Sequence, residues 1–221
     1  MNFEQARFNM IEQQIRPWEV LDSQVLNLLG VVKREDFVPL AHKALAFADM
    51  EIPLSAGGAN GQVMLAPRVE ARLLQDLAVQ RHEKVLEVGA GSGYMAALLA
   101  HQAQRVISLE IDPEMARVAR DNLQRAGVHN AEVRVGDGAA GTQVDGPFDV
   151  IVLSGSVAEV PSLLLAQLKV GGRLGAIVGS EPMMRATVVT RVSDLACSTS
   201  QNWDTVAPRL LNFGEPTRFR F

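Results

Sequence analysis

The sequence has a single cysteine, Cys197, among 221 residues. That excludes an internal disulfide and a cysteine metal cluster, and it suits a reducing compartment. No apolar run approaches the ~18 residues of a membrane-spanning helix. The opening MNFEQARFNM carries no apolar signal region. A cytoplasmic protein with no membrane partner is therefore expected. Basic charge is also short: 21 lysines and arginines stand against 25 acidic residues, for a formal charge of -4. Bulk attraction to nucleic acid is not expected of such a chain. The four histidines, His42, His82, His101 and His129, stand at no metal-ligand spacing, so no metal is expected. Internal repeats and low-complexity tracts are absent.

What is present reads as an ordinary globular chain, 48% hydrophobic and 21% charged, long enough for one full core. Its organising stretch is Lys84–Tyr94, KVLEVGAGSGY. Val85, Leu86 and Val88 form a short apolar run with a charged flank, the signature of a buried strand. The run breaks into Gly89-Ala90-Gly91-Ser92-Gly93, and MAALLA follows with helical composition. Strand, glycine turn and helix form half of a nucleotide-binding α/β sheet, in which a ligand approaches bare backbone. The spacing narrows the ligand. Counted from Gly89, the sixth position is Tyr94 rather than glycine, so the dinucleotide fingerprint is missing. No Gly-Lys-Ser/Thr follows, which excludes a P-loop. The pattern E-x-G-x-G-x-G, beginning at Glu87, resembles motif I of methyltransferases that use S-adenosylmethionine (SAM). It makes Glu87, Gly89, Ala90, Gly91 and Gly93 candidate cofactor residues. A purely structural turn is the alternative that the motif alone leaves open.

Upstream, Phe8, Ile11 and Ile15 recur at three- and four-residue steps and predict a helix over Asn2–Ile15, ended by Arg16-Pro17. Asp22 is a candidate N-cap for a second helix through Val25, Leu26, Leu28 and Leu29. Residues 1–66 are read as a helical extension with an acceptor loop, and 67–221 as the cofactor-binding core of one compact domain. The extension is either a packing lid or a wall of the acceptor site. Ile52–Gln62 is a long glycine-bearing loop, followed by a helix with Pro67 in its first turn and Val69, Leu73, Leu74 and Leu77 on one face. The loop is expected to lean over the carboxyl edge of the sheet; an ordinary surface loop is the other reading.

Downstream, Arg105–Leu109 is a second strand ending at Glu110. An acidic residue about 20 positions past the glycines accepts hydrogen bonds from ribose hydroxyls, and Ile111 is set to face an adenine ring. A solvated strand end is the alternative for Glu110. Asp112-Pro113 opens a helix that Gly127 closes. Ala131–Val135 is a third strand, stopping at Gly136-Asp137-Gly138, where Asp137 and Gly138 could receive the adenine amino group. Phe148–Leu153 is a central strand covered on both faces and ending at Ser154-Gly155-Ser156. A helix over Pro161–Leu168, a strand over Arg173–Val178, and strands over Ala186–Val192 and Thr205–Leu211 complete the pattern. The fold class expected is α/β: a Rossmann-like, doubly wound, mostly parallel sheet with an antiparallel edge and an N-terminal helical extension.

Taken in order, VLEVGAGSGY, SLEID, GDG and PFDVIVLSG resemble the protein-L-isoaspartate O-methyltransferase family. REDFVP, the AFAD–IP stretch, VGGRLGAIVG and WDTVAPRLL are similar to further family blocks, so the resemblance covers about Glu12 to Leu211. It implies SAM as cofactor and methyl transfer to a carboxylate of an altered aspartyl residue in a protein, the first step of repair. The sequence departs from the family before Pro67. There the family presents Gln-Thr-Ile-Ser-Gln, and this chain has Gln62-Val63-Met64-Leu65-Ala66. Two hydroxyls and an amide have become apolar, which predicts weak isoaspartyl activity unless Ser55, Asn60 or Ser154 supplies donors. These three are the candidate acceptor residues.

An ionised carboxylate is already a nucleophile, so no Ser/His/Asp set is required, and positioning carries the catalysis. The missing Asp/Asn-Pro-Pro-aromatic block argues against methylation of DNA amino groups, and Cys197 outside a Pro-Cys setting argues against base C5 methylation. Three functions remain: an isoaspartyl methyltransferase, a methyltransferase for another protein or small-molecule acceptor, and a SAM-binding module without turnover. Oligomeric state is not legible.

Overall fold

Val85-Leu86 and Val150-Ile151-Val152-Leu153 present no polar break, and strands of this kind must be covered on both faces. The computed structural model describes residues 2–55 and 62–215. Its strands are β1 (Ile52–Pro53), β2 (Val63–Met64), β3 (Lys84–Val88), β4 (Arg105–Glu110) and β5 (Ala131–Val135), followed by β6 (Phe148–Val157), β7 (Leu168–Ser180), β8 (Met183–Arg191) and β9 (Cys197–Thr205). Its α-helices are α1 (Phe3–Met10), α2 (Ser23–Val31), α3 (Pro67–Leu77), α4 (Tyr94–Gln102), α5 (Pro113–Arg125) and α6 (Ser162–Leu165).

Seven strands form one sheet in the order β5-β4-β3-β6-β7-β8-β9. The pairs from β5 to β7 are parallel, and β8 and β9 add an antiparallel edge. Pleating sends Val85 to one side of β3 and Leu86 and Val88 to the other, into two separate apolar clusters. The larger cluster gathers Ile15, Leu29, Leu73 and Leu98 from the flanking helices. None of the described helices is long and apolar enough to cross a membrane.

The helix expected over 2–15 is present, capped by Asn2 and continued as a π turn over Ile11–Ile15. Asp22 caps α2 as expected, accepting from the Gln24 amide. The loop before Pro67 closes into a small antiparallel ribbon of β1 and β2. Arg34, fully buried, donates to the carbonyls of Ala46 (3.2 Å) and Leu65 (2.7 Å) and so ties this loop to the extension.

Several boundaries differ from expectation: β7 runs Leu168–Ser180 where Arg173–Val178 was expected, and β8 Met183–Arg191 where Ala186–Val192 was expected. β6 runs on past Leu153 to Val157, through a register shift between Val152 and Ser156. The helix expected over 161–168 is only Ser162–Leu165, because Leu168 already pairs with Phe148 in the sheet. The last strand is Cys197–Thr205 rather than Thr205–Leu211. An exposed edge strand needs no apolar face, so its polar sequence hides it from periodicity. Pro208 cannot donate to a ladder. The chain from Val206 onward instead crosses back over the carboxyl edge, where Ser156 donates to the Pro208 carbonyl (2.8 Å) and Leu210 donates to that of Ser156 (2.9 Å).

Candidate functional site

Strand order reverses between β3 and β6: the chain winds outward from β3 through β4 to β5, then returns to β6 on the other side. Open α/β sheets bind ligands in the crevice at such a point, outside the carboxyl ends of the strands. A groove opens there, lined by residues from the glycine turn, the ends of β4 and β5, and the loop before Pro67.

The glycine turn forms its floor. Gly89 and Gly91 have φ of 92° and 52°, in the left-handed region that glycine enters without a Cβ penalty. A Cβ on Gly91 would also stand 3.2 Å from Leu54, across the groove. Gly93 starts α4, and neither it nor the buried Ala90 lines the groove. The role of these two is to shape the turn.

Glu110 ends β4 as expected and is 7% exposed. Its carboxylate accepts from the Gly91 amide (2.9 Å) and the Asp112 amide (3.1 Å), one on each oxygen. Both oxygens keep a lone pair for a ligand in the groove. Ile111 and Met115 line the wall beside it. Asp137, just past the end of β5, also lines the groove and caps the Gly138–Ala140 turn through the Ala139 amide (2.9 Å). Gly138 packs so closely on Val88 that a Cβ would fall 2.1 Å from its methyl carbon.

Glu87 is placed differently from the motif reading. It is fully buried beneath the groove instead of lining it. Its two oxygens accept from Ser108 Oγ (2.6 Å) and Ser154 Oγ (2.9 Å). Burial pushes its carboxyl up to about 7 against the pull of these two hydroxyls, with Glu110 adding to the rise. The reason is pleating: residue 87 shares the face of Val85, turned into the larger core. Ser154 does line the groove and carries the link to Glu87.

Of the other acceptor candidates, Ser55 follows Leu54 beyond β1 and does not line the groove, and Asn60 lies outside the described residues. Val63 and Leu65 line the groove, whereas the buried Ala66 does not. Gln62 Nε2 donates to Asp112 Oδ2 (3.0 Å), latching the loop to the turn beyond Glu110. That bond, with the Met115 amide, holds the Asp112 carboxyl below the usual carboxylate range. Among the described residues no cluster of three histidine, cysteine or acidic side chains could hold a metal.

Sequence reasoning missed the strap from Pro208 to Phe213, which lines the far wall. Leu210 lies where a Cβ on Gly89 would meet it at 3.0 Å, and Asn212 Nδ2 donates to Asp137 Oδ2 (2.9 Å). The signal was available in Pro208, which ends a ladder. The Arg34–Leu65 tie had no local signal.

Comparison with known proteins gives this geometry its relatives. A curated protein-L-isoaspartate O-methyltransferase of Methanoculleus marisnigri is 42% identical over 173 residues, 78% of this chain and 77% of its own. A solved protein-L-isoaspartate O-methyltransferase superposes with a TM-score of 0.78 at 24% identity, over 95% of this chain and 66% of that one. A Plasmodium falciparum structure named for the same activity, in complex with S-adenosyl-L-homocysteine, gives 0.75 at 18% identity, over 95% and 99%. The family model described as protein-L-isoaspartate(D-aspartate) O-methyltransferase matches residues 5–206, from the first helix through the last strand. With the groove at the switch point and the relatives spanning the same elements, the chain belongs to the protein-L-isoaspartate(D-aspartate) O-methyltransferase family.

Proposed function

We propose that this protein transfers the methyl group of SAM to the free carboxylate of an altered aspartyl residue in a polypeptide. The observation that carries the cofactor half is the Glu110 carboxylate, fixed by the Gly91 and Asp112 amides inside the groove. Family membership over residues 5–206 supports the acceptor half.

The residues present fit the cofactor. Glu110 would accept from the ribose hydroxyls, Asp137 from the adenine amino group, and Ile111 and Met115 would flank the adenine ring. Gly89 and Gly91 leave room for the ligand against bare backbone, and Gly138 seats Val88 beneath it. Ala90 and Gly93 hold the turn, and Glu87 acts through Ser154. From the extension and acceptor loop (1–66), Leu54, Gln62, Val63 and Leu65 supply a wall over the acceptor, and the described residues of the core (67–221) supply the cofactor floor.

Bound SAM supplies an electrophilic methyl on sulfur. An acceptor carboxylate oxygen forms the new bond as the carbon–sulfur bond breaks, giving a methyl ester and S-adenosylhomocysteine. The carboxylate is ionised at neutral pH, so no proton moves and no general base is needed. Positioning and water exclusion by Leu54, Leu210 and Phe213 do the work, on a scale of roughly 7–11 kcal/mol for well-aligned reactants. The lone exposed Cys197 suits work in the reducing cytoplasm.

A second reading has one observation in its favour. Val63 and Leu65 line the groove where the family presents hydroxyls, which suits a less polar acceptor, small-molecule or protein. A SAM-binding module without turnover is disfavoured by the polar fit of Glu110 and Asp137. A screen with methyl-labelled SAM over isoaspartyl peptides and small carboxylic acids tests the choice. Label on the isoaspartyl peptide is expected; label on small acids alone would move the function to the second reading.

A further inference from the structure

The groove is electrically lopsided. Its acids, Glu110 and Asp137, stand at the ends of β4 and β5, and both already accept bonds from the chain. Among the described residues lining it, Arg209 is the one cation. The isolated bridge between Ser156 and Arg209 fixes this residue above the carboxyl ends of β6 and β7. Its Nη1 stands 3.4 Å from Ser156 Oγ and its Nη2 3.4 Å from Ser180 Oγ, both long contacts. The close contact is with a carboxylate: Nε lies 2.9 Å from Glu215 Oε1. The Arg209 side chain is 28% exposed and that of Glu215 50%, so this pair is open to exchange with another anion.

Resting on the function proposed above, we propose that Arg209 binds the acceptor carboxylate and replaces the hydroxyl donors lost at Val63 and Leu65. Three features of the site carry this. A carboxylate entering a groove walled by Val63, Leu65 and Leu210 loses its water and needs charged donors in return. The guanidinium is always protonated, and its planar fork matches a carboxylate. Its place over β6 and β7 is one strand across from the glycine turn, which leaves the cofactor end to Glu110 and Asp137. One carboxylate oxygen rests on the guanidinium while the other forms the bond to the methyl carbon. The carbon–sulfur bond breaks, and Arg209 keeps its proton. Glu215 is the chain's own competitor for the same donors.

Steady-state kinetics on an isoaspartyl peptide with the full-length chain tests this, alongside calorimetric binding of S-adenosylhomocysteine. Arg209→Met should raise KM for the peptide about 10- to 100-fold and leave the affinity for S-adenosylhomocysteine within about twofold. Arg209→Lys, which keeps charge but loses the fork, should fall between. Glu215→Gln leaves the fold's interior untouched and should lower KM about threefold or more by freeing Nε. An unchanged KM in Arg209→Met, or a raised KM in Glu215→Gln, overturns the assignment while the proposed activity stands. If wild type and every variant fail to methylate the peptide, the functional reading falls and takes this assignment with it.

Discussion

Ser154 Oγ donates to Glu87 Oε1 across 2.9 Å, joining a groove-lining hydroxyl to a fully buried carboxyl. Two adjacent parallel strands, β3 and β6, hold the pair, with Glu87 opposite Val152 in register. The groove therefore rests on a titratable group that the solvent does not reach.

This group makes stability depend on pH. Burial raises the Glu87 carboxyl from an ordinary 4.5 to about 7, so the folded state binds its proton more tightly than the unfolded chain. The resulting stabilisation is whole below about pH 4.5 and is lost as pH rises through about 7. Glu87→Gln removes the ionisation, keeps one acceptor oxygen for a serine hydroxyl, and lets the other hydroxyl accept from the new amide. It should be more stable than wild type by about 1–3 kcal/mol at pH 8, with the difference fading toward pH 5. Urea unfolding at both values checks this; a pH-independent difference would contradict it.

Glu110→Ala removes the carboxylate placed for the ribose. It should cost about 1.5–3 kcal/mol of affinity for S-adenosylhomocysteine, the worth of hydrogen bonds to a charged group. Calorimetry measures it directly. An unchanged dissociation constant would mean that the ribose lies elsewhere.

Asn212 gives an opposite expectation. Its amide donates to the Asp137 oxygen that the adenine amino group would use. Asn212→Ala should free Asp137 and tighten S-adenosylhomocysteine binding about three- to tenfold, modest because the contact is exposed. Weaker binding in the variant would show the strap closing over the ligand instead of competing with it.

Restoring hydroxyls at the acceptor wall probes compensation. Without a replacement donor, two lost bonds to a charged acceptor would be worth roughly 3–6 kcal/mol, or about two to four decades in rate. With Arg209 in place, Val63→Thr combined with Leu65→Ser should raise kcat/KM for an isoaspartyl peptide by less than about tenfold. A gain of several decades would show that the wild-type wall lacks an acceptor site.

Much of this site was legible before the structure because its chemistry is local. The glycine turn, Glu110 and Asp137 each sit where a strand ends, and spacing alone finds strand ends. Glu87 shared that spacing but not the location, since one step along a pleated strand turns a side chain into the core. Arg209 and Asn212 were hidden for another reason. They reach the groove only because the chain leaves β9 at Thr205 and crosses back over β6 and β7, a path set by tertiary pairing with Ser156. β9 itself was missed because an exposed edge tolerates Ser198, Thr199 and Ser200 as readily as a loop does.

The most direct measurement is methyl transfer from labelled SAM to two peptides of one sequence, the first with an isoaspartyl residue and the second with ordinary aspartate. Label is expected on the isoaspartyl peptide alone, as a base-labile ester, with S-adenosylhomocysteine formed in equal amount. Equal label on both peptides, or none on either with SAM bound, would contradict isoaspartyl methyl transfer.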